Sequence, residues 1–303
     1  MHPGRLHAGE PDTGSALVRR LVAARFPAWA DLPVEPVATA GTSNAVHRLG
    51  TGMSVRLPRT AGAARDVDKE HTWLPRLAPL LPAAVPLPLG RGEAAEGYPW
   101  PWSVHSWLEG ERPAVGHLAR PELLAADLAA FTAALHRVGT AGGPPAYRSE
   151  PLASRDARTR AALAHLAGEV DTRAATTAWE AALRAPDHRG PAVWIHADLQ
   201  PGNLLVTGDR LAGVIDFGCL GLGDPAVDLI AAWYVLPAAA RPVFRTALGA
   251  DGAAWARGRG WALSVALLEL EHYRATHPVM AAAARRVIGE VLADHAGGCA
   301  AAR

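Results

Sequence analysis

The run Trp194-Ile-His-Ala-Asp-Leu-Gln-Pro-Gly-Asn-Leu-Leu-Val206, followed by Gly213-Val-Ile-Asp-Phe-Gly218, constrains this chain more than any other stretch. Short apolar runs bounded by turn residues read as strands. Two of them surround a loop that carries Asp198 and Asn203, and Asp216 closes the next apolar run. Thr207-Gly208-Asp209 supplies a turn between strands. Aspartate and asparagine favour turns on their own account. Taken together, though, one amide and two carboxylates beside apolar strands form a set suited to phosphoryl transfer from a nucleotide. One group can receive a hydroxyl proton, and the others are hard oxygen ligands for magnesium.

Around this block the pattern divides. Ser15 to Phe26 has helical spacing, with Leu17, Val18, Leu21 and Val22 on one face. Ala45–Leu49 and Met53–Leu57 flank Gly50-Thr51-Gly52 and predict a hairpin. Ala64 to Leu81 predicts a helix interrupted by Pro75 and Pro79. Pro82 to Glu96 reads as connection, and Tyr98–Leu108 as a short strand entering a turn or an edge strand, because proline cannot donate to a ladder. Beyond Glu109-Gly110-Glu111, helical patterns fit Pro121–Val138, Arg155–Val170, Thr172–Arg184, Pro225–Leu236, Arg241–Leu248, Ala253–Ala275 and Val279–Ala293. The expectation is an α+β chain with a small sheet-containing lobe over 1–107 and a larger, mainly helical lobe over 108–303.

The formal charge of +1 gives no case for nucleic-acid binding. Lys69 is the only lysine. Cys219 and Cys299 are too few for a disulfide framework and lack metal-ligand spacing. The apolar run Leu229–Ala240 is shorter than the roughly 20 residues a membrane helix needs, and no signal pattern opens the chain. These features predict a soluble protein of the reduced cytoplasm with no membrane partner.

His196-Ala-Asp198, Asn203 and Asp216 resemble the His-x-Asp-x(4)-Asn and Asp-Phe-Gly elements of the protein-kinase-like superfamily. With Gly223-Asp-Pro-x-x-Asp228 downstream, the pattern is similar to the aminoglycoside phosphotransferase family over roughly residues 35 to 275. The resemblance implies a bilobal kinase-like fold and a phosphotransferase that uses Mg2+ with ATP or GTP as donor. Asp198 would accept or orient the acceptor's hydroxyl proton, Asn203 and Asp216 would hold the metal, and His196 and Asp228 would support the loop. Asp224 also has a structural reason to be where it is, as a helix cap before Pro225.

For the nucleotide, Thr39-Ala-Gly-Thr-Ser-Asn44 resembles a phosphate-covering loop, which puts Ser43 and Asn44 near the phosphates; a polar turn before a strand explains it equally well. Met53-Ser-Val-Arg56 stands where kinases carry a lysine, so the resemblance gives Arg56 phosphate contact and an ion pair with Glu70. His105-Ser-Trp-Leu108 resembles the hinge that holds the base through Ser106, Trp107 and Leu108. Trp100, Trp102 and Trp107 are core residues or base-stacking surfaces. In such a family the C-terminal helices build the acceptor pocket. From Gly221 onward there are seven acids against eight arginines, a balance that does not advertise a polycation site. Glu269 and Glu271 are the candidates for acceptor binding, against a solvated helix face. A macrolide, a nucleoside antibiotic or a metabolite is therefore also open as the hydroxylated acceptor. So is a kinase-like protein that binds nucleotide without catalysis. A protein kinase ranks last, since no Ala-Pro-Glu element follows Asp216.

Overall fold

The computed structural model describes residues 11–37 and 43–301, with side chains up to residue 298. Its contacts gather into two compact units. The first comprises Met1–Arg112, Gly202–Thr207 and Ala212–Gly218, and the second Pro113–Pro201, Gly208–Leu211 and Cys219–Arg303.

In the first unit, α1 (Ser15–Arg25) buries Leu17, Val18, Leu21 and Val22 as their spacing requires. The strands β1 (Val34–Pro36), β2 (Asn44–Leu49) and β3 (Met53–Pro58) follow. The helices α2 (Ala61–Ala64) and α3 (Asp66–Leu77), then β4 (Pro88–Gly92) and β5 (Trp102–Ser106), complete the set. The five strands form one antiparallel sheet in the order β1-β2-β3-β5-β4. Leu49, Val55, Leu57 and Val104 join the α1 stripe and Trp102 in one apolar core.

Two expectations change here. Tyr98–Leu108 holds an interior strand rather than an edge: β5 lies between β3 and β4, and Pro99 and Pro101 precede it, so no ladder N–H is missing. The edge is β4, inside the stretch read as connection, where Pro88 stands first and the register shifts by Gly90.

The second unit opens with α4 (Pro121–His136), α5 (Asp156–His165) and α6 (Thr172–Leu183). The motif block then forms β6 (Val193–Ile195), β7 (Leu204–Thr207), β8 (Arg210–Val214) and β9 (Gly221–Gly223). β7 pairs with β8, and β6 with β9. Backbone bonds tie this hairpin into the first unit: Val206 exchanges both with Glu111, and Ala84 bonds Ala212 and Val214. That stitching explains why 202–207 and 212–218 group with residues before 113 rather than with the helices around them in sequence. Then come a 3-10 stretch, Pro225–Ile230, and α7 (Ala231–Tyr234), where one longer helix was expected. α8 (Arg241–Ala247), α9 (Gly252–Tyr273) and α10 (Pro278–Ala301) close the chain. α9 packs on α5, α6, α10 and the 3-10 stretch, which is why every residue from Trp261 to Leu267 is buried.

The segment before α5 lies along the free side of β9. Leu222 N–H donates to Pro144 O at 2.7 Å and accepts at its carbonyl from Ala146 N–H at 3.0 Å. A Cβ on Gly221 would stand 2.5 Å from the Pro145 carbonyl carbon and 2.6 Å from Ala146 Cα, both backbone atoms that cannot swing aside. Gly221→Ala is therefore expected to destabilise the protein by about 1–3 kcal/mol, read as a lower urea midpoint; an unchanged midpoint would mean that this strand contact is loose.

Candidate active site

Period-two alternation decides what β3 offers on each face. Val55 and Leu57 enter the core with α1, so Ser54 and Arg56 point the other way. On α3, Val67, Glu70, Leu74 and Leu77 are buried at spacings of three and four, which puts Glu70 on the buried stripe. The two meet: Arg56 Nη1 donates to Glu70 Oε1 at 2.9 Å and Oε2 at 3.1 Å. Arg56 also reaches further than expected, with Nη2 donating to Asp216 Oδ1 at 2.9 Å. Burial works against the Arg56 charge, but Glu70 and then Asp216 outweigh it and raise its pKa. For Glu70 burial dominates and raises the carboxyl above its usual range, against the pull of Arg56.

Asp216 lies just past the end of β8 and Asn203 just before β7, so antiparallel pairing brings both to the same end of the hairpin. Ile215 N–H donates to Asn203 O at 2.9 Å and locks the two turns together. Asp216 holds φ at +62°, a left-handed conformation that side chains rarely adopt. Lys69 fastens the following turn by donating to the Gly218 carbonyl and, at 2.9 Å, to Asp66 Oδ1. One carboxylate and one amide suit magnesium, which is usually held by one or two protein groups plus phosphate and water oxygens.

In the second unit the loop after β6 is shaped by a fully buried carboxylate. Asp228 accepts from His196 N–H at 3.1 Å and Ala197 N–H at 2.8 Å, and His136 Nε2 sits 3.1 Å from it. His196 itself is buried, and its Nδ1 accepts from Asp198 N–H at 3.2 Å. Ala197, at φ +64°, turns the chain so that Asp198 follows. Asp198 Oδ1 accepts from Gln200 Nε2 and from Arg148 Nη1, each at 3.1 Å. Gln200 also donates to Glu269 Oε1 at 2.9 Å, and Tyr234 Oη donates to Glu269 Oε2 at 2.8 Å. Burial, only partly offset by these two bonds, raises the Glu269 carboxyl above its usual 4.5. Glu271 lies apart on the same helix, paired with His165. Asp224 caps the 3-10 stretch through Ala226 N–H at 2.9 Å and pairs with Arg257 at 2.7 Å.

The remaining nucleotide candidates are less gathered. Thr39 to Thr42 fall outside the described residues; Ser43 is exposed, and Asn44 opens β2 opposite Pro58. Ser106 N–H donates to Leu87 O and Trp107 N–H to Gly52 O, both at 2.8 Å, so these two amides serve the fold. Leu108 follows directly, just past β5. Trp102 is core, its ring N–H donating to Glu93 O at 3.1 Å, and Trp100 packs against the same core. Trp107 carries the Arg48 guanidinium 4.6 Å from its ring centre. Arg148 and Gln200 are the residues that sequence reasoning missed, and Tyr234, legible only as aromatic surface near the acceptor candidates, proves to hold Glu269. For Gln200 its place two residues after Asp198 was an available signal; for Arg148, in a stretch without periodicity, there was none.

Residues 34–261 match the profile of the phosphotransferase enzyme family, and the chain belongs to that family. The fold agrees. The GDP complex of an aminoglycoside 2'-phosphotransferase-IIIa mutant superposes with a TM-score of 0.75 at 18% identity, over 94% of this chain and 99% of that one. The GDP and kanamycin complex of APH(2'')-IIIa gives 0.72 at 20%, over 91% and 98%. The macrolide 2'-phosphotransferase of Brachybacterium faecium gives 0.59 at 22%, over 90% and 97%. Among curated proteins none matches the sequence significantly. No helix among the described residues is long and apolar enough to cross a membrane.

Removing one member of a buried ion pair leaves its partner uncompensated. Arg56→Ala should therefore cost about 3–5 kcal/mol in urea unfolding; a loss within experimental error would place the guanidinium in water. Glu269 supplies a pH test. Its raised pKa lets the folded protein keep a proton that the unfolded chain releases near 4.5, so this contribution is complete below 4.5 and fades as pH rises through the folded value. Glu269→Gln should flatten that decline in a stability–pH profile; an identical slope would assign the decline to other groups.

Proposed function

We propose that this chain is a small-molecule O-phosphotransferase that moves the γ-phosphate of ATP or GTP to a hydroxyl of an antibiotic. The acceptor oxygen bonds to the γ-phosphorus, the bond from that phosphorus to the bridging oxygen breaks, and a nucleoside diphosphate leaves. Asp198 takes the hydroxyl proton. The observation that carries this reading is the Asp198 loop: Asp228 fixes its backbone through two N–H groups, and Arg148 and Gln200 fix the carboxylate. So much support for one carboxylate suits a group that must meet a hydroxyl in a defined direction.

Asn203 and Asp216 would hold Mg2+, which supplies charge neutralisation on the phosphates when bound. Arg56, kept in place by Glu70, would offer its guanidinium to the nucleotide, and Ser43 and Asn44 would approach the phosphates. The base would lie against the Leu108 backbone, since the Ser106 and Trp107 amides are already engaged.

Aminoglycoside and macrolide phosphotransferases among the similar structures support an acceptor of either kind. The carboxylates favour the second. Glu269 is held by Gln200 and Tyr234 and Glu271 by His165, which leaves neither waiting for an ammonium group. Binding without catalysis is disfavoured by the presence of Asp198, Asn203 and Asp216 together.

The test is incubation with ATP or GTP, magnesium and a panel of aminoglycosides and macrolides, with mass spectrometry for an added phosphate. The parent should phosphorylate at least one, and Asp198→Asn should lower turnover by at least about 100-fold while nucleotide still binds. Turnover by Asp198→Asn at the parent's rate would refute the assignment, and no product across the panel would refute the acceptor class.

A further inference from the structure

Arg148 belongs to no motif, yet the fold delivers it to the Asp198 loop. Leu222 anchors Pro144 and Ala146, and Tyr147 N–H donates to Cys219 O at 3.1 Å, so the backbone just before Arg148 is fixed. The side chain is 11% exposed, and Nη1 donates both to the Ala197 carbonyl and to Asp198 Oδ1. Burial opposes its charge, while Asp198, ahead of Cys219, Tyr234 and Glu269, keeps it protonated. Ala197 thus has both backbone polar groups tied, its N–H to Asp228 and its carbonyl to Arg148, while held in a left-handed conformation that alanine seldom adopts.

We propose that Arg148 is a positioning residue of the transfer reaction: one guanidinium nitrogen, shared between the Ala197 carbonyl and Asp198 Oδ1, sets the direction in which the carboxylate meets the acceptor hydroxyl. The inference rests on the reading of Asp198 as the proton acceptor. A guanidinium suits the task because its donors are fixed in a plane, whereas a lysine ammonium on the same backbone is a rotating point charge.

The experiment compares the parent with Arg148→Ala, Arg148→Lys and Asp198→Asn, using ATP or GTP with magnesium and the antibiotic that the parent phosphorylates. Losing a hydrogen bond to a charged group should lower kcat about 10- to 100-fold in Arg148→Ala. The nucleotide KM should be unchanged, and Arg148→Lys should recover part of the loss. A purely structural role would instead reduce the active fraction, leaving the kcat of properly folded enzyme, counted by nucleotide binding, at the parent's value. That result overturns the proposal. If Arg148→Ala does not fold, Arg148→Lys carries the test, and parental kcat there overturns it equally. Full turnover by Asp198→Asn, or none by the parent, sinks the underlying reading. Loss in Asp198→Asn with parental kcat in both Arg148 variants sinks only this one.

Discussion

A charge taken out of water has to be met by an opposite charge or by well-aimed dipoles. Among the buried or nearly buried charges of this protein, Arg56, Arg148 and Asp228 impose that demand around the motif block. Each finds its partners on a different element, and each pairing fixes a turn or loop of the motif block. Arg56 on β3 binds α3 through Glu70 and the β8 turn through Asp216. Asp228 gathers the backbone of His196 and Ala197, and Arg148 then grips the Ala197 carbonyl and Asp198. Hydrophobic burial builds the helices and the sheet, while these ionic contacts decide where the motif residues point.

The same contacts explain where backbone strain is tolerated. Among the described residues, Ala197 and Asp216 are two of the non-glycine positions with positive φ, and both lie in the motif block. Such conformations cost on the order of 1–3 kcal/mol each and persist only where the surroundings over-determine them. Asp228 and Arg148 do so at Ala197; Arg56, Lys69 at the next turn and the Ile215–Asn203 bond do so at Asp216.

Much of this was legible in the sequence, for a physical reason. The motif spacing is short-range, so Asp198, Asn203 and Asp216 could be placed beside strands from local pattern alone. The amphipathic stripes of α1 and α4 and the glycine turn between β2 and β3 are equally local. The short strands β1, β4 and β9 were not legible, because three to five residues rich in proline or glycine carry no period and exist only by pairing with a neighbour. Arg148 was hidden for the same reason, since its position depends on β9. The fate of Glu269 was open between solvent and ligand; the structure places it with Gln200 and Tyr234, a contact across α7 and α9 that no local pattern encodes.

The proposed function divides the labour: Asp216 would serve the metal–nucleotide complex and Asp198 the acceptor. The most direct check is calorimetric titration of ATP or GTP into the parent, Asp216→Asn and Asp198→Asn, each with and without magnesium. Magnesium should tighten nucleotide binding in the parent and in Asp198→Asn, and Asp216→Asn should lose most of this gain. Equal magnesium dependence in all three proteins, or its loss in Asp198→Asn alone, would contradict that division.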